Sequence, residues 1–182
     1  MTDIFARATI KTKRLRLEPY APAHAQALHA INNEPQVMEF LSDGVPETIA
    51  DTQAKITAVQ NRWETFGFGW WAIIEPKSEL VIGAACLQHV DNVEGAELEI
   101  GWRLTASASG RGYATEAGLA AANYAFDVIG INHVVAVADQ GNIASHRVME
   151  RIGMLFRGVE THYDVLCKTY VLHRSDHREQ NQ

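Results

Sequence analysis

The most restrictive feature of this chain is a junction. Gly95–Leu104, reading GAELEIGWRL, alternates strictly, with Leu98, Ile100, Trp102 and Leu104 on one face and Glu97, Glu99 and Arg103 on the other. That period of two predicts a strand. From Tyr113 the text becomes YATEAGLAAANYAFDVIG, an alanine-rich helix with Glu116, Asn123 and Asp127 as its wet stripe and Gly130 at the C-terminal cap. Its alanines let it lie close on a sheet. Between the two runs the stretch SGRGYATEAG (Ser109–Gly118) sets three glycines and two alanines around one arginine. A helix N-terminus carries about half a positive charge and several unpaired N–H groups. Gly110 and Gly112 let the backbone curl so that these groups converge, and Arg111 adds a cation. In outline this is a pyrophosphate site. The same residues also fit a tight strand-to-helix turn that binds nothing. There is no G-x-x-x-x-G-K-[ST] and no G-x-G-x-x-G opening the helix, so the triphosphate and dinucleotide loops are excluded.

The remaining segments fall into alternating elements. Ala8–Tyr20 reads as one half-buried strand, Leu15 and Leu17 inward and Arg14 and Arg16 outward. A helix begins near Pro22 and is interrupted at Pro35. Another follows Pro46, with Thr52, Ile56, Val59 and Trp63 at helical spacing. FGWWAIIE and LVIGAACLQHV flank the turn PKSE and predict a hairpin. Of the adjacent Trp70 and Trp71, one faces the core. NHVVAVAD is short and apolar, hence a central strand. NIASHRVMERIG is a helix capped by Asn142, with Ala144, Val148 and Ile152 inward and Gly153 at its end. MLFRGVET and VLCKTYVLH form a closing strand pair, and the tail from Ser175 reads as polar and frayed. The predicted order is β α α β β β α β α β β: one α/β domain over 1–182, ordered over 8–174, with a mixed sheet.

Composition narrows the function. The 182 residues are 47% hydrophobic and 21% charged, within the globular range. A formal net charge of -6 disfavours nucleic acid and suits a cationic substrate such as an amine, or simply solubility. Two cysteines, Cys86 and Cys167, lie in apolar runs without a C-x-x-C pattern. Neither a disulfide framework nor a metal site is expected, and a reducing cytoplasmic setting is. His173 and His177 stand four apart but lack a third ligand. The first residues do not read as a signal peptide, and no run is long enough to span a membrane.

After the next strand, DQGNIASHRVMERIGM (Asp139–Met154) places Asn142 and Ser145 at one helix start. Each alone fits a structural role, as a cap or a neutral helix residue. Together they read as a second wall of one cleft. Taken in order, ELEIGWRL, SGRGYATEAG and NIASHRVMERIGM resemble the GCN5-related N-acetyltransferase (GNAT) superfamily, and most closely the RimJ/RimL-type branch that acetylates ribosomal-protein N-termini. TKRLRLEPY is similar to that branch's first strand. The resemblance runs from Lys11 to about Arg174. The family's phosphate-loop pattern falls on Ser109, Gly112 and Ala114, with Ser109 departing at the position usually held by Gln or Arg.

The resemblance implies a mostly antiparallel, twisted sheet split between the fourth and fifth strands, Glu97–Leu104 and Val134–Ala138. It implies acetyl-CoA as cosubstrate and no metal. The pantetheine arm pairs with the main chain at Trp102, Arg103 and Leu104. The pyrophosphate lies on Ser109, Gly110, Arg111, Gly112, Tyr113 and Ala114. Asn142 bonds the pantetheine, and Ser145 lies near the sulfur. The acceptor is a primary amine, on a small molecule or a protein N-terminus, and the branch includes homodimers. Asn33–Phe40 and the Glu160–Val165 turn are candidates for the acceptor pocket.

Acetyl transfer requires removal of a proton from the amine. Glu99 is the expected general base, through a water, with Glu97 as competitor; both also fit as solvated charges or partners of Arg103. A backbone N–H near Gly101–Trp102 is the expected donor to the carbonyl oxygen, and Ser145 the donor to the departing thiolate. A non-catalytic acyl-CoA-binding domain of the same fold is the alternative.

Overall fold

The computed structural model describes residues 7–41 and 45–180. Its strands are β1 (Ile10–Lys11), β2 (Arg16–Pro19), β3 (Trp70–Glu75), β4 (Leu80–His89), β5 (Leu98–Leu104), β6 (His133–Asp139), β7 (Leu155–His162) and β8 (Val165–His173). Its helices are α1 (Ala25–Asn32), α2 (Pro35–Leu41), α3 (Ile49–Phe66), α4 (Tyr113–Tyr124), α5 (Ile143–Ile152) and α6 (Arg174–Gln180). The strands hydrogen-bond as one mixed sheet in the order β1-β2-β3-β4-β5-β6-β8-β7. The chain clusters into two compact units, Met1–Cys86 with Trp102–Ala117, and Leu87–Gly101 with Gly118–Gln182.

In the first unit, antiparallel pairing joins β1 to β2, β2 to β3 and β3 to β4. The segment expected as one N-terminal strand is two. Thr12 N–H and its hydroxyl both bond the Leu15 carbonyl, at 2.9 and 3.2 Å, and close a turn between the strands. Leu15 and Leu17 are buried as expected. Pro35 interrupts the first helix and also opens α2, a helix absent from the predicted order. Proline suits that first position because its missing N–H has no intrahelical partner to lose. α3 starts where Thr48 and Asp51 cap each other: Asp51 N–H donates to the Thr48 hydroxyl at 3.2 Å, and Thr48 N–H to the Asp51 carboxylate at 2.8 Å. Thr52, Ile56, Val59 and Trp63 form its buried stripe, and Trp71 is the core member of the tryptophan pair.

In the second unit, β6 pairs antiparallel with β8, and β8 with β7. β5 joins β6 in parallel at one register pair, Glu99 opposite Val135, where the sequence places the split. α5 buries His146, Met149 and Ile152. Ala144, expected inward, is exposed, and Val148 is only half-buried. The buried histidine is compensated by its Nε2 contact with the Asp139 carbonyl at 3.1 Å. In the tail, which the sequence reads as frayed, the described residues up to 180 are helical. α6 buries His177, whose Nε2 meets the Asn123 Oδ1 at 2.5 Å and whose ring lies 5.5 Å from Phe126.

One glycine controls how β5 is held in the first unit. A Cβ on Gly83 of β4 would stand 2.3 Å from the Arg103 carbonyl and 2.6 Å from Leu104 Cδ2. Only a residue without a side chain lets the two strands approach so closely. Gly83→Ala is expected to destabilise the protein by about 1–3 kcal/mol, read as a lower urea midpoint.

Candidate functional site

The glycine-rich loop belongs to the first unit. After β5 a short 3-10 turn, Ala106–Ala108, leads into it. Gly110 and Gly112 take left-handed φ values of 75° and 78°. A Cβ on Gly110 would meet nothing within 4 Å, and one on Gly112 would lie 3.4 Å from an Arg14 nitrogen. The loop leads into α4, where Gly112 accepts the first helical bond from Glu116 N–H at 3.1 Å. These features fit a diphosphate. The Ser109 hydroxyl turns back to the Thr105 carbonyl at 3.1 Å. The residue's N–H is engaged too, on the Ala106 carbonyl at 3.2 Å, so Ser109, expected among the phosphate-binding residues, has both its hydroxyl and its amide committed within the chain.

The sequence reading treated Arg111 as the one cation here. The structure adds Arg14, whose Nη1 donates to the Arg111 carbonyl at 2.8 Å. Both guanidiniums stand 4.8 Å from the centroid of the Tyr113 ring. Each is also answered by a carboxylate: Arg14 by Glu116 at 2.6 Å, Arg111 by Glu75 at 3.5 Å. The Tyr113 hydroxyl donates to Glu75 at 2.8 Å and, with the Ser78 hydroxyl, holds that carboxyl below its ordinary value. Arg14 was read only as the outward face of a strand. Nothing local in the sequence marks a side chain that meets a loop 97 residues away.

Trp102, Arg103 and Leu104 form the end of β5 in the same unit. Arg103, expected as a partner of Glu97 or Glu99, instead donates to the Tyr20 hydroxyl at 3.0 Å and lies 4.4 Å over the Trp70 ring. Burial pushes the Tyr20 phenol up to about 12, so it stays neutral. The Arg103 Nε is buried without a partner.

The second unit holds both acidic candidates and the α5 start. Asn142 Oδ1 caps α5 by accepting from Ser145 N–H at 3.0 Å, as the spacing predicted. Ser145 is half-buried in the first turn. Glu97 is bound by Arg157 at 2.8 and 2.9 Å and by His133 at 2.9 Å. Burial raises its carboxyl, but the hydrogen bonds from Arg157 and His133 outweigh burial and hold it below its ordinary value.

Glu99 differs. It is 6% exposed, on the face the alternation had marked as the polar one. Gln88 Nε2 donates to its Oε1 at 2.6 Å, and the Tyr163 hydroxyl donates to the same oxygen. Gln88 Nε2 also lies 3.0 Å from the Tyr163 hydroxyl. Burial pushes this carboxyl above its ordinary 4.5, and the two hydrogen bonds offset only part of the rise. A carboxylate on a strand, raised toward neutrality and held by neutral donors, can accept a proton from a bound amine. Gln88 and Tyr163 were both missed. Gln88 sits in an apolar run, and Tyr163 fell only within the turn considered for the acceptor pocket.

The model of the acetyltransferase (GNAT) domain family matches residues 14–155. Among curated proteins, the FsC-acetyl coenzyme A-N(2)-transacetylase of Aspergillus fumigatus is 29% identical over 168 residues, covering 88% of this chain and 70% of its own. Among solved structures, an acetyltransferase from Agrobacterium tumefaciens is 28% identical, with a TM-score of 0.78, over 91% of this chain and 94% of its own. RimL, the ribosomal L7/L12 alpha-N-protein acetyltransferase in complex with coenzyme A, shares the fold with a TM-score of 0.77 at 17% identity, over 91% and 97%.

Because its native carboxyl is raised, Glu99 stabilises the fold fully below pH 4.5, and that contribution declines as pH rises through the native value. A side-chain carboxyl resonance in the NMR spectrum, assigned by its loss in Glu99→Gln, is expected to titrate with a midpoint above 4.5.

Proposed function

The chain belongs to the GNAT acetyltransferase family and is an acetyl-CoA-dependent N-acetyltransferase; from that premise we propose that it passes the acetyl group directly to a primary amine, with Glu99 as general base. The observation that carries this reading is the buried Glu99 carboxyl, raised by its surroundings and fixed through one oxygen. A base needs a pKa near the working pH to be both ionised and able to take a proton. Glu97, held below its ordinary value by a cation pair, is the poorer base.

When bound, acetyl-CoA supplies an acetyl group activated as a thioester. The main chain of Gly110, Arg111, Gly112, Tyr113 and Ala114 would hold the diphosphate, with Arg111 and Arg14 beside it. Trp102, Arg103 and Leu104 bond the pantetheine arm through their main chain, and Asn142 bonds it through its side-chain amide. Glu99 takes the ammonium proton, directly or through a water, and frees the lone pair. A β5 amide at Gly101–Trp102 donates to the carbonyl oxygen as negative charge builds there, a contribution of roughly 3 kcal/mol. The Ser145 hydroxyl would relay to the sulfur the proton that the attacked nitrogen sheds as the thioester bond breaks, and so be regenerated. Positioning of the two reactants contributes up to ~7–11 kcal/mol.

We place the chain's work in one acyltransferase domain in a reducing cytoplasm, in keeping with its two buried free thiols. Among the described residues no helix is long and apolar enough to cross a membrane. The acceptor classes to screen are a small-molecule amine and a protein N-terminus, the latter being the kind named for RimL.

Glu99→Gln keeps the shape and removes the base. Its kcat in a thiol-release assay is expected to fall about a hundredfold or more, with coenzyme affinity by calorimetry unchanged. In the native enzyme kcat/KM should rise with pH through a limb above 4.5, because only the ionised carboxylate accepts a proton. Full turnover in Glu99→Gln, or coenzyme binding with no turnover on any amine in the wild type, would remove the base assignment.

A further inference from the structure

The geometry points to Tyr163 as a positioning residue for the catalytic carboxylate, held in place by two interlocked left-handed turns. The inference rests on Glu99 being the base. β7 and β8 are joined by two residues, with His162 opposite Val165, and both loop residues take positive φ: Tyr163 at 52° and Asp164 at 63°. A two-residue hairpin of this kind favours Asn-Gly, which adopts left-handed backbone with least strain. A tyrosine is a poor choice if the turn only reverses the chain. Here it sends a phenol onto Oε1 of a carboxyl that is 6% exposed, while Tyr163 itself stays 40% exposed.

A second strained segment clamps the first. Asp91 and Asn92 have φ of 57° and 58°. The Asp91 carboxylate accepts the Tyr163 backbone N–H at 2.5 Å through Oδ1 and contacts His162 Nδ1 at 2.9 Å through Oδ2. The other ring nitrogen of His162 lies 3.4 Å from Glu160. The turn cannot relax without breaking these contacts. The phenol and the Gln88 amide then both occupy Oε1, which leaves Oε2 as the oxygen that takes the proton.

Both donors favour the ionised form and work against burial. The other ionisable groups that act on Glu99 are Asp91, which raises it, His162, which lowers it, and the nearby Cys167 thiol. Removing the phenol therefore moves the carboxyl further up.

The test is the pH dependence of kcat and kcat/KM in Tyr163→Phe, Glu99→Gln and the double variant. Phenylalanine keeps the ring and the turn. In Tyr163→Phe the acid limb is expected to move up by about one pH unit, so turnover on the limb falls about tenfold and recovers at high pH, with KM for acetyl-CoA unchanged. The double variant should lose no more than Glu99→Gln alone. A uniform loss at all pH values, or a limb that stays in place in Tyr163→Phe but vanishes in Glu99→Gln, overturns the positioning role and leaves the base assignment standing. A limb that survives Glu99→Gln overturns both.

Discussion

Burying a carboxylate is unfavourable unless donors replace the lost water, and much of the second unit is arranged around that requirement at Glu99. Gln88 at the end of β4 and Tyr163 in the β7–β8 turn converge on one oxygen from 11 and 64 residues away in sequence. Neither donor is charged. A nearby arginine would satisfy the carboxylate more fully, but it would also hold the group as a weak base, as Arg157 does for Glu97. Neutral donors satisfy the oxygen and still leave the carboxyl above its ordinary range.

Two acids two residues apart thus acquire opposite character. Glu97 and Glu99 share a face in the alternation, yet one meets Arg157 and His133 while the other meets an amide and a phenol. Separation of this kind between neighbouring titratable groups is a common mark of assigned acid–base roles. It depends on which elements flank each residue, not on the strand that carries both.

At the glycine loop, charge is handled by pairing. Arg14 and Arg111 are each matched with a carboxylate and share the Tyr113 ring. Ion pairs at the surface contribute little stability. Their effect here is to hold two cations beside the loop, against one aromatic ring.

The sequence by itself determined the α/β class, the hairpins, the strand–loop–helix junction and the cap at Asn142, because each rests on local periodicity, turn chemistry or backbone conformation. It also put Glu97 and Glu99 together on one face of that strand. It misjudged Ala144 and the continuity of the first strand and did not foresee the helix Arg174–Gln180, where His146, Thr12 and His177 find partners that local pattern does not record. Only the tertiary structure decided that Arg14 joins the loop, that Arg103 turns to Tyr20, and that Gln88 and Tyr163 separate Glu99 from Glu97. Those outcomes come from polar contacts between distant segments, and a buried charge takes its pKa from its neighbours in space rather than its neighbours in the chain.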